Sequence, residues 1–100
     1  MLQILKRLFQ NSKRDMRQLA KEGAIIVDVR TPFEFKTGHF SGAKNIPLDA
    51  LQGNVGYLKE LNKTIITVCR SGARSSVAKD ILVREGIEAY DAGAWTNLKV

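Results

Sequence analysis

Cys69 is the chain's one cysteine, and Cys69-Arg70-Ser71-Gly72-Ala73-Arg74 combines a nucleophile, two permanent cations and a glycine turn within six residues. A thiol acts as a nucleophile in its thiolate form, which nearby cations and backbone N–H groups favour. The run before it, Thr64-Ile65-Ile66-Thr67-Val68, is apolar and β-branched and reads as a buried strand. A helical pattern follows from Ser75 to about Glu85, stopped by Gly86. Cys69 is therefore expected at a strand-to-helix turn, where N–H groups and the positive helix end converge on an anion. A cysteine that only fills a core does not need two arginines directly after it, since arginine is rarely buried unpaired. The spacing points to a nucleophile at the bottom of an anion cradle, with Gly72 tightening the turn.

The elements that must hold this loop read as alternating strands and helices. Ala24 to Val29 is almost wholly apolar and suits a strand covered on both faces. Thr31-Pro32-Phe33-Glu34 is a compact helix start, with Thr as N-cap, Pro at the first position and Glu at the third. Gly38, Gly42 and Pro47 punctuate a loop with a short strand around Lys44 to Ile46. Leu48 to Leu61 reads as a helical stretch interrupted at Gly53 and Gly56, and Ile87 to Tyr90 as a last short strand. Upstream, Asn11-Ser12 caps a helix running to Glu22 and stopping at Gly23. The expected fold class is α/β, a small central, mainly parallel β-sheet flanked by helices on both faces. In such sheets ligands bind beyond the carboxyl ends of the strands. Cys69 lies at one such end, and Asp28-Val29-Arg30 closes the neighbouring strand.

Three stretches carry a family resemblance. Cys69-Arg70-Ser71-Gly72-Ala73-Arg74 is similar to the active-site loop of single-domain rhodaneses, the persulfide-forming sulfurtransferases. Val27 to Leu48 (VDVRTPFEFKTGHFSGAKNIPL) independently resembles the family's upstream signature, D-x-R-x-x-x-E-[FY] followed by G-H-[IF]-x-G-A-x-N-I-P. Asp91-Ala-Gly-Ala-Trp95 is close to the family's terminal turn, with Ala94 replacing one glycine. The resemblance covers residues 12 to 98. It divides the chain into an N-terminal basic amphipathic extension, 1–11, and a rhodanese-like domain, 12–100.

The resemblance implies a thiosulfate sulfurtransferase. Cys69 is then the catalytic nucleophile, and Arg70, Ser71, Gly72, Ala73 and Arg74 bind the substrate. Asp28 and Arg30 support the loop, Asp28 by tying it down and Arg30 by pairing with Glu34. The implied partners are a small anionic sulfur donor and a cyanide or thiol acceptor, or a protein that receives the sulfur. His39 lies in the family's structural GHFSGA turn, and a persulfide mechanism needs no proton acceptor, so it is read as scaffold. Trp95 is read as a wall of the pocket or core. Three rival readings follow from the same residues. A cysteine phosphatase uses Cys-x5-Arg, one residue longer than the Cys-x4-Arg of Cys69 and Arg74. A non-enzymatic interaction module has no need of the cysteine. A persulfide carrier keeps the chemistry and delivers the sulfur to a protein.

Composition sets the outer bounds. The 100 residues make one small domain, expected to be monomeric. One cysteine excludes an internal disulfide and a multi-cysteine metal site, and with a single His no metal or other cofactor is expected. No apolar run approaches the ~20 residues of a membrane helix. The N-terminus lacks the apolar core of a secretory signal. A cytoplasmic location, where reducing conditions keep a thiol free, is the expectation. The formal charge is +6. Residues 1–22 hold Lys6, Arg7, Lys13, Arg14, Arg17 and Lys21 against Asp15 and Glu22, a net of +4. No aromatic-interleaved basic patch accompanies them, so no nucleic-acid partner is expected. Met1 to Phe9 spaces Leu2, Ile4, Leu5, Leu8 and Phe9 at helical intervals. It is read as packing on the domain, with a partner or membrane surface as the alternative.

Overall fold

The structure, a computed structural model, describes residues 13–99, with side chains from Met16 onward. The extension 1–11 and the cap at Ser12 lie outside the described residues. The first helix, α1, is Lys13–Lys21. Gly23 then takes φ +106°, a conformation that glycine adopts without strain, and the chain turns into β1, Ile25–Asp28. Thr31 caps α2, Pro32–Thr37, through the capping box its sequence announces. The Thr31 hydroxyl accepts from the Glu34 N–H, and the Glu34 carboxylate accepts from the Thr31 N–H. There follow β2, Lys44–Asn45, then α3, Leu48–Leu51, a 3₁₀ turn, Gln52–Asn54, and α4, Val55–Leu61. The chain continues through β3, Ile65–Cys69, α5, Ala73–Arg84, and β4, Ala89–Ala94, and ends in a 3₁₀ turn, Trp95–Leu98.

The four strands form one parallel sheet in the order β2-β1-β3-β4. Alternation along each strand sorts side chains to two faces. Val27, Ile65 and Cys69 pack with Leu51, Val55 and Leu58 and with Ala78 and Leu82 of α5. Ile26, Ile66 and Val68 pack with Met16 of α1 and Leu98 on the other face. Helices thus cover both faces, and all five residues of β3 are buried. A strand enclosed on both faces and both edges holds Cys69 in a fixed frame.

Three departures from the sequence expectation exceed a single residue at an element's end. α4 runs through Gly56 and is not interrupted there; only Gly53 falls in the 3₁₀ turn. The burial of Val55 and Leu58 against the core outweighs the helix cost of one glycine, on the order of 1 kcal/mol. β4 begins at Ala89, not Ile87, and continues to Ala94 because pairing with β3 extends it. A bulge lets Thr67 face Asp91 while Val68 faces Gly93. The helix behind the cysteine starts at Ala73, two residues early, so Ser75 belongs to its first turn.

Candidate active site

Cys69 is the last residue of β3 and is 1% exposed. Gly72 follows with φ +108° and serves as the N-cap of α5. Without a side chain there, no cap hydrogen bond closes the helix start, so its amides remain available to the sulfur. The Gly72 N–H donates to Cys69 Sγ at 2.9 Å. A Cβ on Gly72 would stand 3.6 Å from Gly93 Cα, so the loop rests directly on the β4 bulge.

Ser75 completes the sulfur's surroundings. It is fully buried, its Oγ lies 3.3 Å from Sγ, and it also reaches the Gly72 carbonyl at 3.2 Å. The Thr67 hydroxyl donates to the Ser75 carbonyl at 2.8 Å and fastens the helix turn to β3. A hydroxyl has one proton. With the thiol present, the S–H donates to Ser75 Oγ, whose own proton goes to the Gly72 carbonyl. With the thiolate present, the Ser75 hydroxyl turns to donate to sulfur. Burial pushes the Cys69 thiol's pKa up, but the Ser75 hydroxyl and the amides of Ser75, Gly72 and Ser71 outweigh it, leaving the pKa below its ordinary value. The groups that favour the thiolate form here are chiefly neutral donors.

The two arginines separate. Arg70 is exposed, beside the nucleophile. Arg74 makes a two-pronged ion pair with Glu34, Nη1 to Oε1 at 2.7 Å and Nη2 to Oε2 at 3.0 Å. That pair, with the Thr31 amide, holds the Glu34 carboxyl down at about 2 and raises the Arg74 guanidinium further. Ser71 and Ala73 are exposed and Gly72 is half-buried.

Asp28 and Arg30 form a second, closed unit at the end of β1. Arg30 Nη2 bonds Asp28 Oδ2 at 2.7 Å, Nε bonds both carboxylate oxygens, and the Arg30 amide donates to Oδ1. Arg30 also reaches the carbonyls of Glu34 and Gly38, and its guanidinium lies 5.0 Å from the Trp95 ring centroid. Two expectations change here. The hydrogen bonds of the Asp28 carboxylate go to Arg30 rather than to the cysteine loop. Glu34 pairs through its side chain with Arg74 rather than with Arg30, because α2 turns the carboxylate towards α5. The bracket meets the loop at that Arg74–Glu34 pair.

His39 stacks on Phe35 at 3.6 Å and bonds the Phe35 carbonyl through Nδ1 at 2.7 Å, a turn-closing arrangement. Asn45 Nδ2 donates to the carbonyls of Asp28 and Arg30, 3.0 Å each, and ties β2 to the same corner. Among the described residues no group of three or more His, Cys, Asp or Glu is placed to hold a metal ion. Sequence reasoning missed Ser75 and Asn45. Ser75 carried a readable signal: with Ala78 and Leu82 it falls on the buried stripe of α5, where a small polar residue must find an internal partner.

The Rhodanese-like domain profile matches residues 12–97. The chain belongs to this family. Among solved structures it is similar to a rhodanese with anions from E. coli, at 29% identity and a TM-score of 0.70, covering 78% of this chain and 94% of that one. It is also similar to a rhodanese-like domain protein from Staphylococcus aureus, at 28% identity and a TM-score of 0.73, covering 87% and 86%. Among curated proteins it is 32% identical over 75 residues to the tRNA uridine(34) hydroxylase of Bacillus mycoides, covering 70% of this chain and 24% of that protein. The chain thus spans about a quarter of the length of the curated relatives it matches. Among the described residues no helix is long and apolar enough to cross a membrane.

Proposed function

We propose that this rhodanese-like domain is a sulfurtransferase that carries sulfane sulfur on Cys69. The Cys69 thiolate attacks the outer sulfur of thiosulfate or a similar anionic donor. A new S–S bond forms, the donor's S–S bond breaks, and its electron pair leaves with sulfite. Cyanide or a thiolate then attacks the outer sulfur of the persulfide, taking it as thiocyanate or an acceptor persulfide and returning Cys69 as thiolate. The observation that carries the reading is the Gly72 N–H aimed at Sγ from a helix start that no side chain caps, 2.9 Å away. That arrangement suits an anionic sulfur at the loop's centre. Arg70, exposed beside it, suits the donor's sulfonate. The solved E. coli rhodanese, described with anions, supports the same use of the fold.

Incubation with thiosulfate followed by intact-protein mass spectrometry tests the proposal. One added sulfur atom, removed by cyanide and absent from Cys69→Ser, is the expected result. An unchanged mass overturns it.

Delivery to a protein acceptor is the second reading, and Phe33 favours it. That ring is 77% exposed and directly precedes Glu34, whose carboxylate holds Arg74 of the loop. Exposed aromatic side chains are enriched in protein contacts.

A further inference from the structure

On the sheet face covered by α1 lies an open groove of about 360 Å³. Ala20, Ile26 and Phe40 supply apolar walls, Arg17 and Lys21 line it from α1, and Lys44 from β2. Arg17 and Lys21 are one helical turn apart and so share a helix edge. The groove sits away from the cysteine. It is built on the first residues of β1, and Ile25 pairs with Ile65, four residues or ~13 Å along β3 from Cys69.

Among the described residues the charge at this groove is uncompensated. Arg30, Lys59, Arg74 and Lys79 each hold an acidic partner. Among the described residues neither Arg17 nor Lys21 makes an ion pair, and no Asp or Glu lines the groove. Lys44 places its ammonium over the Tyr57 ring, 5.9 Å from its centroid.

We propose that this groove docks an acidic polypeptide segment. Its occupant seats one apolar side chain between Ala20, Ile26 and Phe40 and sets carboxylates against Arg17 and Lys21. The volume is near the lower end of ligand cavities and fits one large side chain with its backbone. Charge complementarity selects the partner. A second copy of this chain carries +6 and is repelled, and the chain's own residues 1–11 bring Lys6 and Arg7, the same sign as the rim. A single-stranded nucleic acid stacks its bases on open aromatic faces, whereas Phe40 is half-buried against the core. A bilayer surface does not fill a concave apolar floor. The proposal is independent of sulfur transfer, and its test reads no activity.

The probe is a synthetic hexapeptide, Leu-Phe flanked on each side by two aspartates, titrated to millimolar concentration into the ¹⁵N-labelled full chain. Shifts confined to the amides around Ala20, Ile26 and Phe40 are expected. Binding should weaken at least tenfold in the Arg17→Glu/Lys21→Glu double variant and in Ala20→Trp, which fills the groove without altering charge. Circular dichroism confirms that both variants remain folded. Absence of shifts overturns the proposal, as does equal binding of hexa-aspartate, which lacks the apolar anchor. Stronger shifts of the same amides by a uridine-rich RNA oligonucleotide or by phosphatidylglycerol vesicles also overturn it, in favour of those partners. Tenfold tighter peptide binding after removal of residues 1–11 shows that the chain's own segment occupies the groove, which overturns it as well.

Discussion

The ends of β1 and β3 stand side by side, and they treat charge in opposite ways. At the end of β1, Asp28 and Arg30 are buried and bonded to each other, and Arg30 spends its remaining donors on the carbonyls of Glu34 and Gly38. At the end of β3, Cys69 is equally buried, yet its sulfur is met by the Gly72 amide and the Ser75 hydroxyl, which carry no formal charge. The first region is a closed bracket in which each charge is answered from within. The second is a cradle whose donors can serve an anion that arrives from outside. Arg74 joins them, with its guanidinium on Glu34 and its backbone in the cradle's helix. Rigidity at one end and neutral donors gathered on one sulfur at the other are the arrangement the proposed anion site calls for.

The largest expected effect falls on the cradle alone. Cys69→Ser should abolish thiosulfate-to-cyanide transfer while leaving the thermal unfolding midpoint close to that of the wild type. The hydroxyl fits the same space, but it cannot carry the sulfur. Steady-state thiocyanate formation and circular dichroism check both halves. Measurable transfer by the variant would dissolve the functional contrast between the two ends.

The bracket should show the reverse pattern. Arg30→Met leaves the Asp28 carboxylate buried without its partner, which costs about 3–5 kcal/mol in comparable buried pairs. Adding Asp28→Asn removes the orphaned charge and should recover part of that loss, as read by urea unfolding. Whatever fraction remains folded should still accept sulfur on Cys69 by mass spectrometry. If Arg30→Met is as stable as the wild type, the closed bracket is not holding the fold.

Arg74 and Arg70 sharpen the comparison at its seam. Arg74→Ala frees Glu34 and loosens α2 from α5, so both turnover and stability should fall. Arg70→Ala removes an exposed cation and should raise the KM for thiosulfate about two- to fivefold, the scale of an exposed ion pair, with kcat and stability unchanged. Identical profiles for the two variants would show that the arginines share one role.

Much of this arrangement is legible from residue types alone. The capping box at Thr31 and Glu34, the two enclosed strands and the glycine turn at Gly72 are each set by local chemistry, and the structure has each of them. The partners of the charged groups are not. Arg30 and Glu34 lie at helical spacing and invite pairing, yet Glu34 finds Arg74, 40 residues away. Such choices depend on how folding brings α2 beside the start of α5, a packing outcome with no local signature. β4 is similar: its extension to Ala94 follows from the ladder with β3 and its bulge, not from the propensity of Asp91 or Gly93. The bridge that Asn45 makes between the strand ends likewise emerges only on folding, whereas Ser75 shows in the sequence as a small polar residue on the buried stripe of α5 and only its partner, the sulfur, does not.

The smallest expected effect isolates a single donor in the cradle. The thiolate is the reactive form, so the rate of iodoacetamide alkylation at Cys69 rises with pH through the thiol's pKa. Because that pKa lies below its ordinary value, the wild-type curve should be displaced to lower pH than that of free cysteine. Ser75→Ala deletes the hydroxyl that donates to the thiolate and leaves the Gly72 amide in place. One hydrogen bond of about 0.5–1.5 kcal/mol corresponds to a rise of up to about one pH unit, so the midpoint should move only partway back. Ser75→Thr keeps a hydroxyl on the same carbon and should restore the wild-type midpoint even if packing around its added methyl costs stability. A Ser75→Ala curve superimposed on the wild type would assign sulfur stabilisation to the loop amides alone and make Ser75 a packing residue of α5.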